Sequence, residues 1–320
     1  MKKITILLAL TALVLASSCR KVVEFNGSQT DALPVLICQP EVGSPVALRL
    51  SYSNFFLREA NFPVINNATI HADLNGTPDA AAFSYTEKGI YLSDLILRPD
   101  DTLTLRISVP DEGELTAGCR MPAPPVVSDL VITNEFTLHA SPSYDNRYDT
   151  LFYIHNSDNR LDFQFTLHDP ANIDNYYRVC AYIIDSNNVR QSINIKIDDN
   201  VLFDQDPTSD YFDLDMQVDF SQGSQVIFSA DRINGHNHVI KGYSYDVTNH
   251  YFRRGSKLYL EVSSLSRDNY LYHVTRRNQQ QNSDILSIIN EPVRIHSNVE
   301  GGIGILGACA PILVEFPLGI

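Results

Sequence analysis

Between Asp101 and Val109 the apolar residues Leu103, Leu105, Ile107 and Val109 alternate with Thr102, Thr104, Arg106 and Ser108. A period of two sets the two groups on opposite faces of an extended chain, so this stretch reads as a half-buried β-strand. The same alternation, or a run of β-branched and aromatic residues, returns at 34–38, 46–52, 67–74, 89–93, 126–133, 161–167, 176–184, 191–197, 225–229, 257–263 and 311–316. Turn formers separate the runs, as in Asn75-Gly76-Thr77-Pro78, Arg98-Pro99-Asp100-Asp101 and Asp111-Glu112-Gly113. Helical patterning is confined to 266–289. There Tyr270, Leu271, Val274, Ile285, Leu286 and Ile289 surround a polar middle, which predicts one helix, or a helix and a loop, packed on a sheet.

The expected fold class is therefore mainly β. Short strands crowded into the first part predict an immunoglobulin-like sandwich, without the buried Trp of antibody domains because the chain has no Trp. Met121-Pro122-Ala123-Pro124-Pro125 cannot enter a central strand and marks a boundary. The organisation expected is a signal peptide at 1–18, a tether at 19–33, an immunoglobulin-like β domain at 34–121, and a larger antiparallel β-sandwich with one short helical segment at 126–320.

Lys2 and Lys3 precede an apolar run from Ile4 to Leu15, followed by Ala16-Ser17-Ser18-Cys19. The run is too short for a bilayer core of roughly 30 Å, so it reads as a secretory signal. Small residues directly before a cysteine further suggest a bacterial lipoprotein signal, with Cys19 lipidated (palmitate among its acyl chains) as the mature N-terminus. An ordinary signal peptide with an incidental cysteine is the other reading. Of the five cysteines, Cys38, Cys119, Cys180 and Cys309 then remain. An exported compartment permits disulfides, and pairing within each part would join Cys38 to Cys119 and Cys180 to Cys309. Four buried free thiols are the alternative.

Lys and Arg number 24 against 38 Asp and Glu, a net charge of -14, which disfavours nucleic acid and anionic membrane surfaces as partners. No nucleophile elbow, zinc-protease motif, phosphate loop or dinucleotide fingerprint occurs. A hydrolase triad drawn from scattered Ser, His and Asp is something any chain of this length allows, so no catalytic residue is named and a non-enzymatic role is expected. The stretch 198–219 is rich in Asp. Asp204 and Asp206 begin like a calcium loop, but Pro207 interrupts it, and a solvated acidic surface is the simpler reading. His236 and His238, two apart, would share a strand face and could reach one Zn or Cu ion with Asp231 or His250, or be incidental at a hairpin tip. Tyrosines cluster at Tyr243-Ser244-Tyr245, Tyr251-Phe252 and Tyr270 with Tyr272. Exposed, they would stack on sugars or peptides; buried, they would pack a strand.

The stretch from Glu291 to Ala308 contains Pro292-Val293, Ser297-Asn298 and Gly301-Gly302-Ile303-Gly304-Ile305-Leu306-Gly307. It resembles the C-terminal signature of a bacterial lipoprotein family known as domain of unknown function 4249, with Leu306 where that family commonly has Phe. His168-Asp169-Pro170 with Asn175 to Val179, Phe228 to Gly235, and Leu260 to Tyr272 are similar to further pieces of the same family. The resemblance implies a Bacteroidota outer-membrane lipoprotein, exposed on one side or the other, that acts beside a TonB-dependent nutrient transporter in ligand capture or handover. A structural or adhesive surface module without a small ligand is the alternative. Gly301, Gly302, Gly304 and Gly307 in a strand-like stretch indicate positive φ, a bulge or close backbone approach. They read either as a loop contacting a ligand or a partner barrel, or as a tight turn packed under the preceding helix, with Asn298 turning the chain before them.

Overall fold

A computed structural model of the chain describes residues 31–54, 62–145, 150–203, 221–245, 256–282 and 294–318, with side chains outside 134–159, 281–282 and 317–318. The first part comprises β1 (Pro34–Cys38), β2 (Pro45–Tyr52), β3 (Thr69–Leu74), β4 (Thr77–Ala81), β5 (Ser84–Tyr85), β6 (Ile90–Ile96), β7 (Thr102–Val109) and β8 (Gly113–Arg120). After the proline stretch come β9 (Val126–Asp145), β10 (Thr150–His168), β11 (Tyr176–Ile184), β12 (Arg190–Ile193), β13 (Ile195–Ile197), β14 (Gln222–Gly223), β15 (Val226–Ser229) and β16 (Asn237–Ser244). The chain closes with β17 (Ser256–Leu265), α1 (Arg267–Asn282), β18 (Ile303–Leu306) and β19 (Cys309–Leu318).

Among the described residues these strands make four sheets that enclose two cores. In the first part the sheet β18-β1-β2-β6-β5 faces the sheet β4-β3-β7-β8. The alternation read in β7 holds, with Leu103, Leu105, Ile107 and Val109 buried beside Leu36, Leu48, Leu50 and Leu115. In the second part β14-β13-β16-β10-β9 faces β12-β11-β17-β19, with β15 also on β11. Phe163, Phe165, Leu167, Val179, Ile183, Leu258 and Leu260 fill the space between. Each such side chain, fully buried, contributes roughly 1.5–3 kcal/mol of transfer free energy.

The helix expected within 266–289 is α1. Ser266 caps it: its backbone carbonyl accepts the first helical bond from the Tyr270 amide at 3.0 Å, and its hydroxyl accepts from the Asn269 amide at 3.4 Å. Asp268 in the first turn complements the positive end of the helix dipole. Residues 283–289 lie outside the described set.

One strand crosses the expected division. β18 pairs in parallel with β1, Val35 opposite Ile303 through Cys38 opposite Leu306. Just before it, Glu300 pairs with Thr116 of β8 through mutual backbone bonds of 2.9 and 3.0 Å. The end of the chain thus ties the edge of one first-part sheet to the edge of the other. Val299, Leu306 and Ala308 belong to the first core, not the second.

The expected disulfides are not formed: Cys38, Cys119, Cys180 and Cys309 are all free and buried. Register explains the second pair. Cys180 stands opposite Glu261, and Glu261 opposite Leu313, so Cys309 lies two strands over and four positions along. At ~4.8 Å between strands and ~3.4 Å per residue, their Cα atoms are roughly 17 Å apart, where a disulfide needs less than about 7 Å. In the first pair, Cys38 directs its Sγ to the Ala47 carbonyl, 3.5 Å away on β2. Burial pushes the Cys119, Cys180 and Cys309 thiols up to about 12, and that of Cys38 up as well. All four therefore stay protonated and unreactive in the native fold. In a Cys19→Ser chain, a thiol reagent at pH 8 is expected to label none of them at short times under native conditions and all four in denaturant without reductant. A count of zero in denaturant would restore the disulfides.

Candidate functional site

The glycine-rich segment is held from both sides. Ser297 Oγ accepts the Gly304 amide at 3.1 Å, while Asn298 accepts the Leu306 amide at 2.9 Å and donates to the Leu306 carbonyl at 3.0 Å. The Asn298 side chain thus mimics a paired strand residue. A Cβ on Gly304 would run into the backbone of Leu36, and one on Gly301 into the Glu114 carbonyl; both positions have positive φ. Gly302 sits against the Pro34 carbonyl and the Leu115 side chain, and Gly307 against Asn269 of α1, where a Cβ would be 2.8 Å from its neighbour. The glycines are therefore required by close approach within the fold, which is the tight-packing reading of the two.

Gly307 leads into a polar joint. Asn269, fully buried, donates to the Ala308 carbonyl at 3.2 Å and accepts from the Gln39 amide at 2.8 Å. Ser266 Oγ accepts the Ala308 amide at 3.1 Å, and the Ser266 amide donates to the Ala308 carbonyl at 3.0 Å. Gln39 also lies 3.1 Å from Nε2 of His273, which can accept that bond only when unprotonated. Burial, then the nearby Arg178 and Arg276, lowers the His273 pKa to about 4, consistent with that role. Farther along, His296 binds Asp268 at 2.7 Å and its amide donates to Thr275 Oγ1 at 2.8 Å, laying the returning chain along α1.

This joint fixes the N-terminal turn of α1, which is one wall of a cleft of about 860 Å³ between the two parts. The other walls are the proline stretch, the end of β10 with 168–170, and 173–177. Its polar groups are mostly committed. His168 engages Ser128 Oγ and Asn237 Oδ1, each at 2.8 Å. Asp169 accepts the Tyr177 hydroxyl at 2.7 Å and the Gly235 amide at 3.2 Å; burial and this carboxylate push the Tyr177 phenol up. Arg120 pairs with Asp100 at 3.0 Å. Asp174 and Arg267 are exposed and have no partner among the described residues. Between them the lining is largely apolar, with Val126 and Ile173 more than half exposed. The arrangement suits an amphipathic ligand, held by apolar contact and oriented by one carboxylate and one guanidinium.

The histidines read as a metal pair do not converge. His238 points toward the core rim and binds Asp199 at 2.6 Å, while His236 is exposed in the preceding turn. Asp199 in turn accepts the Val201 and Leu202 amides at 2.9 and 3.1 Å. Among the described residues no three His, Cys, Asp or Glu side chains gather as metal ligands. Cys19, Asp204, Asp206, His250, Tyr251 and Phe252 lie outside the described residues. Tyr270 stacks on Tyr176 at 4.5 Å and packs α1 to its sheet, whereas Tyr243 and Tyr245 stand on an open sheet face. Read from sequence, the prolines mark only a boundary; in the structure they also line the cleft. The usable signal was an apolar pair, Pro125-Val126, directly after a break that no strand covers.

Substitutions at the segment and the joint have distinct expected outcomes. Gly304→Ala meets both positive φ and the Leu36 backbone and is expected to cost about 3 kcal/mol or more, whereas Gly76→Ala, at positive φ in open space, should cost about 1–2 kcal/mol. Urea midpoints measure both. For His273 the unfolded chain takes up a proton below the ordinary value of 6.5 and the native chain only near 4. Its contribution is complete above pH 6.5 and is lost as pH falls toward 4, by on the order of 3 kcal/mol at most. The stability of a His273→Gln chain should fall less steeply than that of the parent across this window, read by thermal denaturation at stepped pH.

No curated protein matches the chain. A family model described as "Domain of unknown function (DUF4249)" matches residues 20–311, nearly the whole chain beyond the signal-like run. With these two joined β parts and the cleft between them, the chain belongs to the DUF4249 family.

Proposed function

We propose that the protein is a lipid-anchored, non-enzymatic binding module of the outer membrane, accessory to a TonB-dependent nutrient transporter, to which it hands over a captured ligand. The observation that carries the reading is the cleft: about 860 Å³, walled by both parts, largely apolar in its lining, with Asp174 and Arg267 at its edge and without a partner among the described residues. Its volume lies in the range of small-molecule sites. The Ala16-Ser17-Ser18-Cys19 stretch supports the anchor, and no helix among the described residues is long and apolar enough to cross a membrane in its place. One acyl chain holds only reversibly, so a stable anchor requires more than one on Cys19.

A second reading, a structural or adhesive module, has its own supporting observation. β9 and β10 pair from Val126–His168 to Asp145–Thr150 with one register shift between Gln164 and Thr166, but β16 joins β10 only over 161–168. Among the described residues, 134–145 and 150–160 thus continue as a two-stranded ribbon of roughly 40 Å.

Solubilisation of a tagged full-length chain from its own outer membrane is expected to recover a β-barrel transporter, and Cys19→Ser to move the chain to the soluble fraction. Ile173→Glu, on the exposed rim of the cleft, should leave both unchanged and abolish transporter-dependent uptake. Recovery of no barrel, with adhesion lost when the ribbon is shortened, would favour the second reading.

A further inference from the structure

The outer face of the sheet β14-β13-β16-β10-β9 carries a tyrosine pair beneath an arginine guanidinium. Phe163, Phe165 and Ile240 point inward to the second core. Alternation then sends Arg160, Asp162, Gln164, Lys241, Tyr243 and Tyr245 outward. Register sets Tyr243 opposite both Asp162 and Lys196, and Lys241 opposite Gln164. Between the tyrosines' strand neighbours, Gly242 leaves room for the Phe163 ring beneath: a Cβ there would also be 2.8 Å from the Lys196 carbonyl.

We propose that this face is a saccharide-binding platform centred on Tyr243 and Tyr245. The two rings meet edge to face, 5.4 Å apart at 71°. The Arg160 guanidinium lies over both, 4.6 Å from the Tyr243 centroid and 5.7 Å from that of Tyr245. Asp162 fixes it with bonds of 2.9 and 2.7 Å, and Arg160 donates to the Tyr245 hydroxyl at 3.3 Å. The aromatic group is therefore already ordered, although Tyr245 is 60% exposed. An exposed ring held in place by a buttressed cation can bind without the entropy cost of fixing a loose side chain.

Two clefts of about 470 Å³ each flank Tyr243. One is edged by Asp162, Gln164 and Lys241, the other by Tyr245 and Lys196. Lys196, Lys241 and Gln164 have no side-chain partner among the described residues, so donors and acceptors stand free beside the rings. A pyranose matches this pairing: its C–H face packs on an aromatic ring while its hydroxyls both donate and accept. Nucleic acid would also stack, but a chain of net charge -14 repels its phosphates. The polar grid disfavours a purely apolar ligand. The platform is distinct from the cleft between the parts. Arg160 and His168 stand eight residues apart on β10, roughly 27 Å at strand rise.

Affinity electrophoresis of the full chain in detergent, through gels containing xyloglucan, galactomannan or polygalacturonate, tests the proposal. At least one polysaccharide is expected to retard the chain. Tyr245→Ala should weaken that retardation on the order of tenfold, and Tyr245→Phe, which keeps the ring, should preserve most of it. Thermal denaturation of the Tyr245→Ala chain should match the parent, since the side chain is exposed. Ile173→Glu, in the other cleft, should leave retardation unchanged, and Tyr245→Ala should leave transporter recovery unchanged, so the two sites fail separately. Retardation by none of the three, or retardation undiminished in Tyr245→Ala, overturns the platform.

Discussion

A single buried amide holds this molecule's parts in register. Asn269 is fully enclosed, and its side chain bonds the Ala308 carbonyl and the Gln39 amide at once. Leaving such partners unpaired in the interior costs about 1–3 kcal/mol each, so the helix, the exit of β1 and the step between β18 and β19 are fixed together. Only Gly307 and Ala308 separate a strand of the first sandwich from a strand of the second. The parts are thus linked three times along the chain, by the proline stretch, by the longer stretch from α1 to β18, and by this two-residue step. Two short covalent connections at different places restrict hinge motion far more than one. A cleft bounded by one connection and braced by the joint behind the other therefore keeps a near-constant width. Ligand capture there would cost little ordering of the protein.

The strand pattern was legible wherever side chains alternate strongly. The sequence places β1, β2, β7 and β11 within a residue of their observed bounds: β2 and β7 each bury an alternating row of Val, Leu or Ile, and β1 and β11 are short runs of mostly apolar, β-branched or aromatic residues. It does not announce β8, where Ala117, Gly118 and Cys119 are too small to signal a face, nor β16, which begins in what reads as a polar hairpin tip. β9 and β10 run well past the expected 126–133 and 161–167 through residues rich in Ser, Asn and Asp, whose composition argues for loop. Two strands that pair only with each other need no apolar face to continue, so hydrophobic periodicity cannot find their ends.

The glycine-rich segment was legible as a backbone constraint but not as a destination. Spacing alone indicates that something approaches closely; it cannot say that the something is β1, more than 260 positions earlier in the chain. Parallel pairing between chain ends leaves no local turn to mark it. The cysteines mislead for a related reason. Four cysteines left over in an exported chain suggest disulfides, a device that matters most where a core is small. Here the first core buries Cys38 and Cys119, Cys309 is buried in a small cluster with Ile227 and Leu265, and the register of β11, β17 and β19 carries Cys180 and Cys309 past each other.

The two candidate binding surfaces make opposite use of charge within one acidic chain. In the cleft, carboxylates are mostly spent on the fold: Asp169 on Tyr177 and Gly235, Asp268 on His296, Asp100 on Arg120. What remains for a ligand is apolar surface and one charge of each sign. On the sheet face the committed pair, Arg160 with Asp162, serves to hold two aromatic rings, and the flanking lysines and Gln164 are left uncommitted among the described residues. The first surface selects by shape and exclusion of water, the second by stacking with hydrogen bonds that water can compete for. A weak, renewable hold on an extended polar chain is what the second chemistry supplies, and a tighter hold on a compact amphipathic piece is what the first supplies. Set roughly 27 Å apart along β10, the two surfaces share no lining residue among the described residues and can be occupied independently.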